Sequence, residues 1–371
     1  MNPRLAGIAP SLIRAIAAKR NAGSIDLGLG EPRLRPDPQL FAAATAWVAE
    51  HGCQYTANAG DPQLRELIAA YYAYPGMAEA KNVCVTSGSQ EALYASITAL
   101  LDPSVDELLI VEPAFGAYAK IAELAAIRQR SVAMPVERGF AFDVERILAA
   151  LTPKTRMLVL CSPCNPTARV LRQAEAQQLA QALLVRAGEP IIVLWDEVYR
   201  ELHYVDDAAH FPAYYPHTIA INSLSKSNAL TGLRLGWAIA PALYADAITR
   251  LHAWATSTAS TYAQQVALAL FRNPEALGAQ RSWYTTQASA IRALLSDLQI
   301  ESAPIEGTFY ALLRLPQVHD SLAAALGFVE RDNVLVVPGV AFGSAAEGWL
   351  RISWVGELEH IRRGLELIVA R

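Results

Sequence analysis

"RMLVLCSPCNPTARVLRQAEAQQLAQALLVRAGEPIIVLW", residues 156–195, sets two short apolar runs, RMLVL (156–160) and IIVLW (191–195), on either side of a longer alanine- and leucine-rich segment. Each run is too short for a helix and is bounded by turn residues, which predicts strands. The segment between them, RQAEAQQLAQALLVRAG (172–188), predicts a helix, with Gly188 where a C-cap is expected. Strand, helix, strand is the repeating unit of a parallel sheet.

The unit recurs on both sides. NVCVT (82–86), ELLIV (107–111) and TIAINS (218–223) predict further strands, and SQEALYASITALL (89–101) and AYAKIAELAAI (117–127) predict helices. The fold class expected is α/β, a mostly parallel, doubly wound sheet. A long helical run over about 242–272 follows. The C-terminal third has its own strand candidates, GTFYALLRL (307–315), NVLVVPG (333–339) and WLRISW (349–354). With the N-terminal arm this third forms a smaller α+β domain, so the expected partition is a large domain over 41–285 and a small one from 1–40 and 286–371. A chain of 371 residues accommodates both.

A composition 53% hydrophobic and 18% charged describes a globular chain, and a net charge of −4 offers no basic field for nucleic acid or anionic lipid. The first twenty residues read as an amphipathic arm, because Arg14 interrupts their apolar stripe. The longest charge-free segment is too rich in Thr, Ser and Gln to cross a membrane, so a soluble, cytoplasmic protein is expected. Four cysteines in so long a chain suit a reducing compartment. Cys161 and Cys164 form a C-x-x-C, a redox pair or half a metal site, but nothing completes a metal set and no metal is expected.

In an open parallel sheet, ligands bind at the carboxyl ends of the strands. The residues there are SGSQEA, EPAFGAY, CSPCNPT, DEVY and LSK, in chain order. The first is a helix N-terminus with two hydroxyls and a glycine, able to receive a phosphate; Ser87 or Ser89 as a plain N-cap is the ordinary alternative. In INSLSKSNALTGLRLGW (221–237), Ser223 and Arg234 add a hydroxyl and a bidentate cation for the same anion. Lys226, between them, would supply a nucleophilic amine for a Schiff base. Asp196, closing the apolar run PIIVLW, needs a cationic partner, and a pyridinium nitrogen is one. Pyridoxal phosphate supplies that nitrogen and an electron sink. Asn165 and Tyr199 can donate to its phenolate oxygen, and Phe115 can stack on its ring.

With these residues in place the chain resembles the pyridoxal-phosphate-dependent aminotransferases of classes I and II, in the fold type I, aspartate aminotransferase superfamily. The segments LGLGEPRL, YTANAGDPQLRELIA, TSGSQEAL, EPAFGAY, CNPT, DEVY, SLSKSNALTGLRLGW, GTFYALL, VVPGVAFG and LRIS carry the resemblance in the family's order. It implies that Lys226 holds the cofactor aldehyde and shuttles a proton, with Asp196 on the pyridine nitrogen and Asn165, Tyr199 and Phe115 around the ring. It implies a phosphate held by Ser87, or its neighbours Gly88 and Ser89, by Ser223 and by Arg234. Arg351 would clamp the substrate α-carboxylate, with Gly30 and Asn165 closing around it. Tyr55 would reach the phosphate of a partner subunit's cofactor, which implies a homodimer with shared sites.

Two departures stand out. Ala168 replaces a glycine in the usual N-P-T-G, so a turn needing positive φ would be strained or rearranged. GEPRLRP puts Arg33 and Arg35 beside the expected substrate entrance, where one could read a distal carboxylate or both could be solvated. The expected activity is ping-pong transfer of an amino group from an L-amino acid to a 2-oxo acid. The alternatives are a C–S β-lyase of the same fold, betrayed by pyruvate and ammonia without an added acceptor, and a ligand-sensing module, betrayed by cofactor binding without turnover.

Overall fold

The computed structural model describes residue 5, residue 8 and residues 10–370; part of the expected N-terminal arm lies outside them. The described strands are β1 (Ile25–Asp26), β2 (Val83–Thr86), β3 (Glu107–Glu112), β4 (Arg128–Ala133), β5 (Thr155–Cys161), β6 (Ile192–Asp196), β7 (Thr218–Ser223), β8 (Gly236–Ile239), β9 (Glu301–Ser302), β10 (Tyr310–Arg314), β11 (Val334–Leu335), β12 (Val337–Pro338) and β13 (Trp349–Ser353). The two runs that predict neighbouring strands are β5 and β6. They pair in parallel, Leu158 opposite Val193 and Cys161 opposite Asp196.

They lie in a seven-stranded sheet ordered β2-β8-β7-β6-β5-β3-β4. Its central strands, β5, β6 and β7, are almost wholly buried because both faces are covered. Val193 and Trp195 join one buried cluster with helices Pro62–Tyr72, Gln173–Leu184 and Thr261–Phe271, while Ile192 and Leu194 join another with helices Ser89–Leu100, Ala117–Leu124 and Ala242–Ala255. The sheet is doubly wound and mostly parallel, as expected; β8 alone runs antiparallel, to both β2 and β7.

A third cluster joins Ile16, Ile25 and Leu27 to residues from Tyr284 to Ile368. Around it lies a four-stranded antiparallel sheet, β12-β13-β10-β9. The parallel pair β1 and β11 ties the N-terminal segment to the C-terminal third.

Three local expectations are corrected. The long helical run is broken: helices Ala242–Ala255 and Thr261–Phe271 flank residues 256–260, where the hydroxyl side chains compete for backbone groups and Ser260 caps the second helix through Ala263 N–H. NVLVVPG is two strands on different sheets, parted at Val336. The helix after β5 ends at a C-cap on Val185, and Gly188, at φ +97°, turns the chain beyond it. Four strands had no expectation, the two-residue β1 and β9 and the longer β4 and β8. β4 is an exposed edge carrying Arg128 and Arg130, and β8 spans only four residues.

The C-terminal helix, Leu358–Val369, buries Ile361, Leu365 and Ile368 in the third cluster. Leu365 is fully buried. Leu365→Ala is expected to cost about 2–5 kcal/mol, read as a lower denaturant midpoint with an unchanged slope.

Candidate active site

The loops leaving β2, β3, β5, β6 and β7 carry Ser87, Phe115, Asn165, Tyr199 and Lys226. Four of these strands, β3, β5, β6 and β7, are parallel neighbours, so their carboxyl ends share one edge.

Asp196 is the last residue of β6 and is 4% exposed. Its Oδ2 accepts the Tyr118 hydroxyl at 2.6 Å and its Oδ1 accepts Val198 N–H at 3.3 Å, so both partners are neutral. Burial pushes its carboxyl up to about 6, with the Tyr118 hydrogen bond and the charge of Lys226 opposing the rise. Alternation along β6 sends Glu197 to the other face, where it is fully buried. There Glu197 accepts Tyr74 Oη at 2.7 Å and Trp195 Nε1 at 3.0 Å, and Arg200 Nε lies 3.8 Å away.

Lys226, half-buried, donates from Nζ to the Gly30 carbonyl at 2.8 Å. Gly30 packs under the Tyr310 ring so closely that an added Cβ would fall 1.8 Å from the Tyr310 oxygen. Tyr310 Oη in turn lies 3.2 Å from Tyr199 Oη.

Arg351, on β13, is 2% exposed. It donates from Nη1 to Asn165 Oδ1 at 3.0 Å and from Nη2 to the Gly28 carbonyl at 2.5 Å. The rings of Tyr310 and Phe342 lie 4.2 and 5.0 Å from its Cζ. Burial draws its pKa down from the usual guanidinium value. Among the described residues its Nε has no hydrogen-bond partner.

Arg234, itself at φ +52°, stretches over Gly88, where a Cβ would meet Nη2 at 2.5 Å. Gly88 adopts φ +91°, so it needs glycine twice over. Glu91, in the first turn of the helix that follows, accepts Ser87 N–H at 2.5 Å and is itself held by His252 Nδ1 at 2.8 Å. Ser223 Oγ accepts Ser225 N–H at 3.3 Å. Phe115 meets Tyr118 edge-on, 5.9 Å between centroids.

The chain thus brings together Lys226 and Gly30, Asn165 and Arg351, and Gly88 and Arg234. Tyr55 stands apart, 85% exposed. Ala168 takes φ +58°, so the turn keeps its left-handed residue without a glycine. Such a residue costs roughly 1–2 kcal/mol, and the burial of its methyl group in the third cluster offsets part of that. Arg33 lies against Gly356 and lines a cavity of about 70 Å³ with Asp26 and His360; Arg35 is exposed. Cys161 and Cys164 are buried, free thiols. Tyr118, Tyr310 and Glu91 are contributors with no expectation attached. The one signal for Tyr118 was its spacing, three residues after Phe115.

A buried carboxylate with only neutral hydrogen-bond partners, a glycine cradle under a guanidinium and an orphaned arginine Nε fit a cofactor with a ring cation and a phosphate, and a substrate carboxylate. The family model for aminotransferase class I and II matches residues 22–368. Aspartate aminotransferase of Pyrococcus horikoshii is 31% identical over 93% of this chain and 89% of its own. A solved aspartate aminotransferase of Thermus thermophilus, a single mutant, superposes with a TM-score of 0.92 at 29% identity, covering 100% and 99% of the two chains. The structure of YbdL of Escherichia coli, identified with a methionine aminotransferase function, gives 0.90 at 25% identity over 100% and 99%. The chain belongs to the aminotransferase class I and II family. It is a pyridoxal-phosphate-dependent transaminase of fold type I, acting on amino and oxo acids. No described helix is long and apolar enough to cross a membrane.

The Asp196 geometry yields a stability prediction. Its folded pKa of about 6 lies above the ordinary 3.8, so in cofactor-free protein the carboxyl destabilises the fold progressively as pH rises from about 4 to 6. Asp196→Asn is expected to melt above the parent at pH 8, by on the order of 2–3 kcal/mol, with the gap closing by pH 4. Thermal melts of the two cofactor-free proteins across that range are the check.

Proposed function

We propose that this chain transfers an amino group from an L-amino acid to a 2-oxo acid in a ping-pong cycle, with the residues above in named roles. The observation that carries the assignment of roles is Asp196, buried with only neutral hydrogen-bond partners and electrostatically coupled to Lys226. When bound, pyridoxal phosphate supplies an aldehyde and a ring that accepts electrons.

Asp196 would hold the proton on the ring nitrogen. Asn165 and Tyr199 would donate to the phenolate oxygen, and Phe115 would cover the ring. Ser87, Gly88, Ser89, Ser223 and Arg234 would hold the phosphate. Lys226 would hold the aldehyde carbon through its amine and, once released by substrate, would carry the proton of the substrate Cα on its Nζ. Arg351 clamps the substrate α-carboxylate: two of its five N–H groups are engaged by Asn165 and Gly28, and Nε remains free to join a bidentate contact. Gly30 and Asn165 close around that carboxylate.

Residues 41–285 form the cofactor-holding domain in this reading, and 1–40 with 286–371 the smaller one. The enzyme is a homodimer in which Tyr55 reaches the partner's cofactor phosphate. Supporting this, Tyr55 is 85% exposed, and Trp254 and Leu243 on helix Ala242–Ala255 are 94% and 74% exposed. Its four free thiols fit the cytoplasm. L-Aspartate is the first donor to offer, on the names of the Pyrococcus and Thermus relatives.

The test is the visible spectrum of the loaded enzyme. One L-amino acid should convert the cofactor band to its amine form, and a 2-oxo acid should restore it; a band that no donor changes would reject the transfer. Lys226→Ala should keep cofactor but lose turnover by several orders of magnitude, and substantial residual rate would remove Lys226 from its role. Arg351→Ala should raise KM at least tenfold, since a bidentate carboxylate contact is already made in the ground state; an unaltered KM would place the carboxylate elsewhere.

A further inference from the structure

Resting on the assignment of Asp196 to the ring nitrogen, we propose that Tyr118 is a positioning residue for the cofactor: its hydroxyl pins one Asp196 oxygen, its ring buttresses Phe115, and together they align carboxylate and stacking ring. Tyr118 lies in the first turn of helix Ala117–Leu124, is 1% exposed and sits one turn from Phe115. The phenol therefore fixes, from one helix, both the partner of the ring nitrogen and the residue that covers the ring face.

The hydrogen bond has a defined direction. Burial, then the charge of Asp196, holds the Tyr118 phenol well above its ordinary pKa, so the hydroxyl keeps its proton and donates. Donation to Oδ2 leaves Oδ1, which otherwise receives only the 3.3 Å bond from Val198 N–H, to meet the ring nitrogen. It also favours the carboxylate over the acid, against the desolvation that raises Asp196. The other ionisable groups acting on this pair are Cys161 and Cys164 from the end of β5 and its loop, Glu197 just after β6 and Lys226 from the loop after β7. The hydrogen bond between the two thiols pushes Cys161 up, as burial does, and draws Cys164 down; Glu197 faces the opposite side of the sheet, and Lys226 is the one cation of the set. Tyr118 is thus the neutral donor on which the ionisation of Asp196 leans.

The test is Tyr118→Phe, which keeps the ring and removes the oxygen. Losing one hydrogen bond to a charged group should weaken pyridoxal phosphate binding roughly tenfold or more, with a comparable fall in kcat and little change in KM for the amino acid. The pH at which the bound cofactor's visible band titrates should shift as well, a readout that mere loss of packing would leave in place. An unchanged dissociation constant and an unchanged band titration would overturn the role. Should the single variant not fold, the comparison moves to the Asp196→Asn background, where the buried charge is gone. Adding Tyr118→Phe there should change cofactor affinity little, and a further tenfold loss would show that Tyr118 does not act through Asp196. A parent protein with no cofactor band at all would instead remove the assignment of Asp196 on which this role rests.

Discussion

A carboxylate sealed at the end of an apolar strand dictates what may surround it. Asp196 cannot be left without donors, and its two hydrogen-bond partners, a phenol and a backbone N–H, carry no charge. The fold accepts a desolvation penalty there that the two neutral donors offset only in part, leaving the carboxyl raised to about 6. Much of the neighbouring architecture follows: the helix carrying Tyr118 must start close to the sheet edge, the loop after β7 must bring Lys226 to the same side, and Glu197, the residue that follows β6, must find its own partners on the opposite face.

The second buried charge, Arg351, belongs to the small antiparallel sheet, yet its hydrogen bonds reach Asn165 after β5 and Gly28 near the N-terminus. The site therefore straddles two separately packed cores. A site built on that seam draws rigidity from both sheets, while the aromatic rings of Tyr310 and Phe342 keep water from the guanidinium faces.

The parts legible in the sequence were those with a periodic or positional signal. β5, β6 and β7 are buried on both faces and so read as unbroken apolar runs, and the polar loops after them mark the edge where Asp196 and Lys226 lie. β4 is an exposed, charged edge and β8 is four residues long, so neither carries such a run. The break after Ala255 was hidden because hydroxyl residues only compete with a helix, and tertiary packing settles the outcome. Arg351 has no local signal; an arginine in a strand looks like any other, and resemblance alone singled it out. Tyr118 and Tyr310 were missed for the opposite reason, since an aromatic in an apolar segment reads as core until its oxygen's partner is seen. Ala168 shows that a left-handed turn can persist where residue preference argues against it.

Adjacent acids at the end of β6, facing opposite sides of the sheet, also proof-read its assembly. If β6 slipped by one residue against β5, Asp196 would exchange sides with a neighbour, and either Trp195 or Glu197 would stand beside Tyr118. Glu197 would then abandon Tyr74, Trp195 and Arg200, and the indole would lose its acceptor. Two buried charges would be stranded by a single mistake. The dipeptide Asp196–Glu197 thus works as a vernier: it makes the misaligned sheet so unfavourable that chains which fold at all fold with the carboxylate in the cleft.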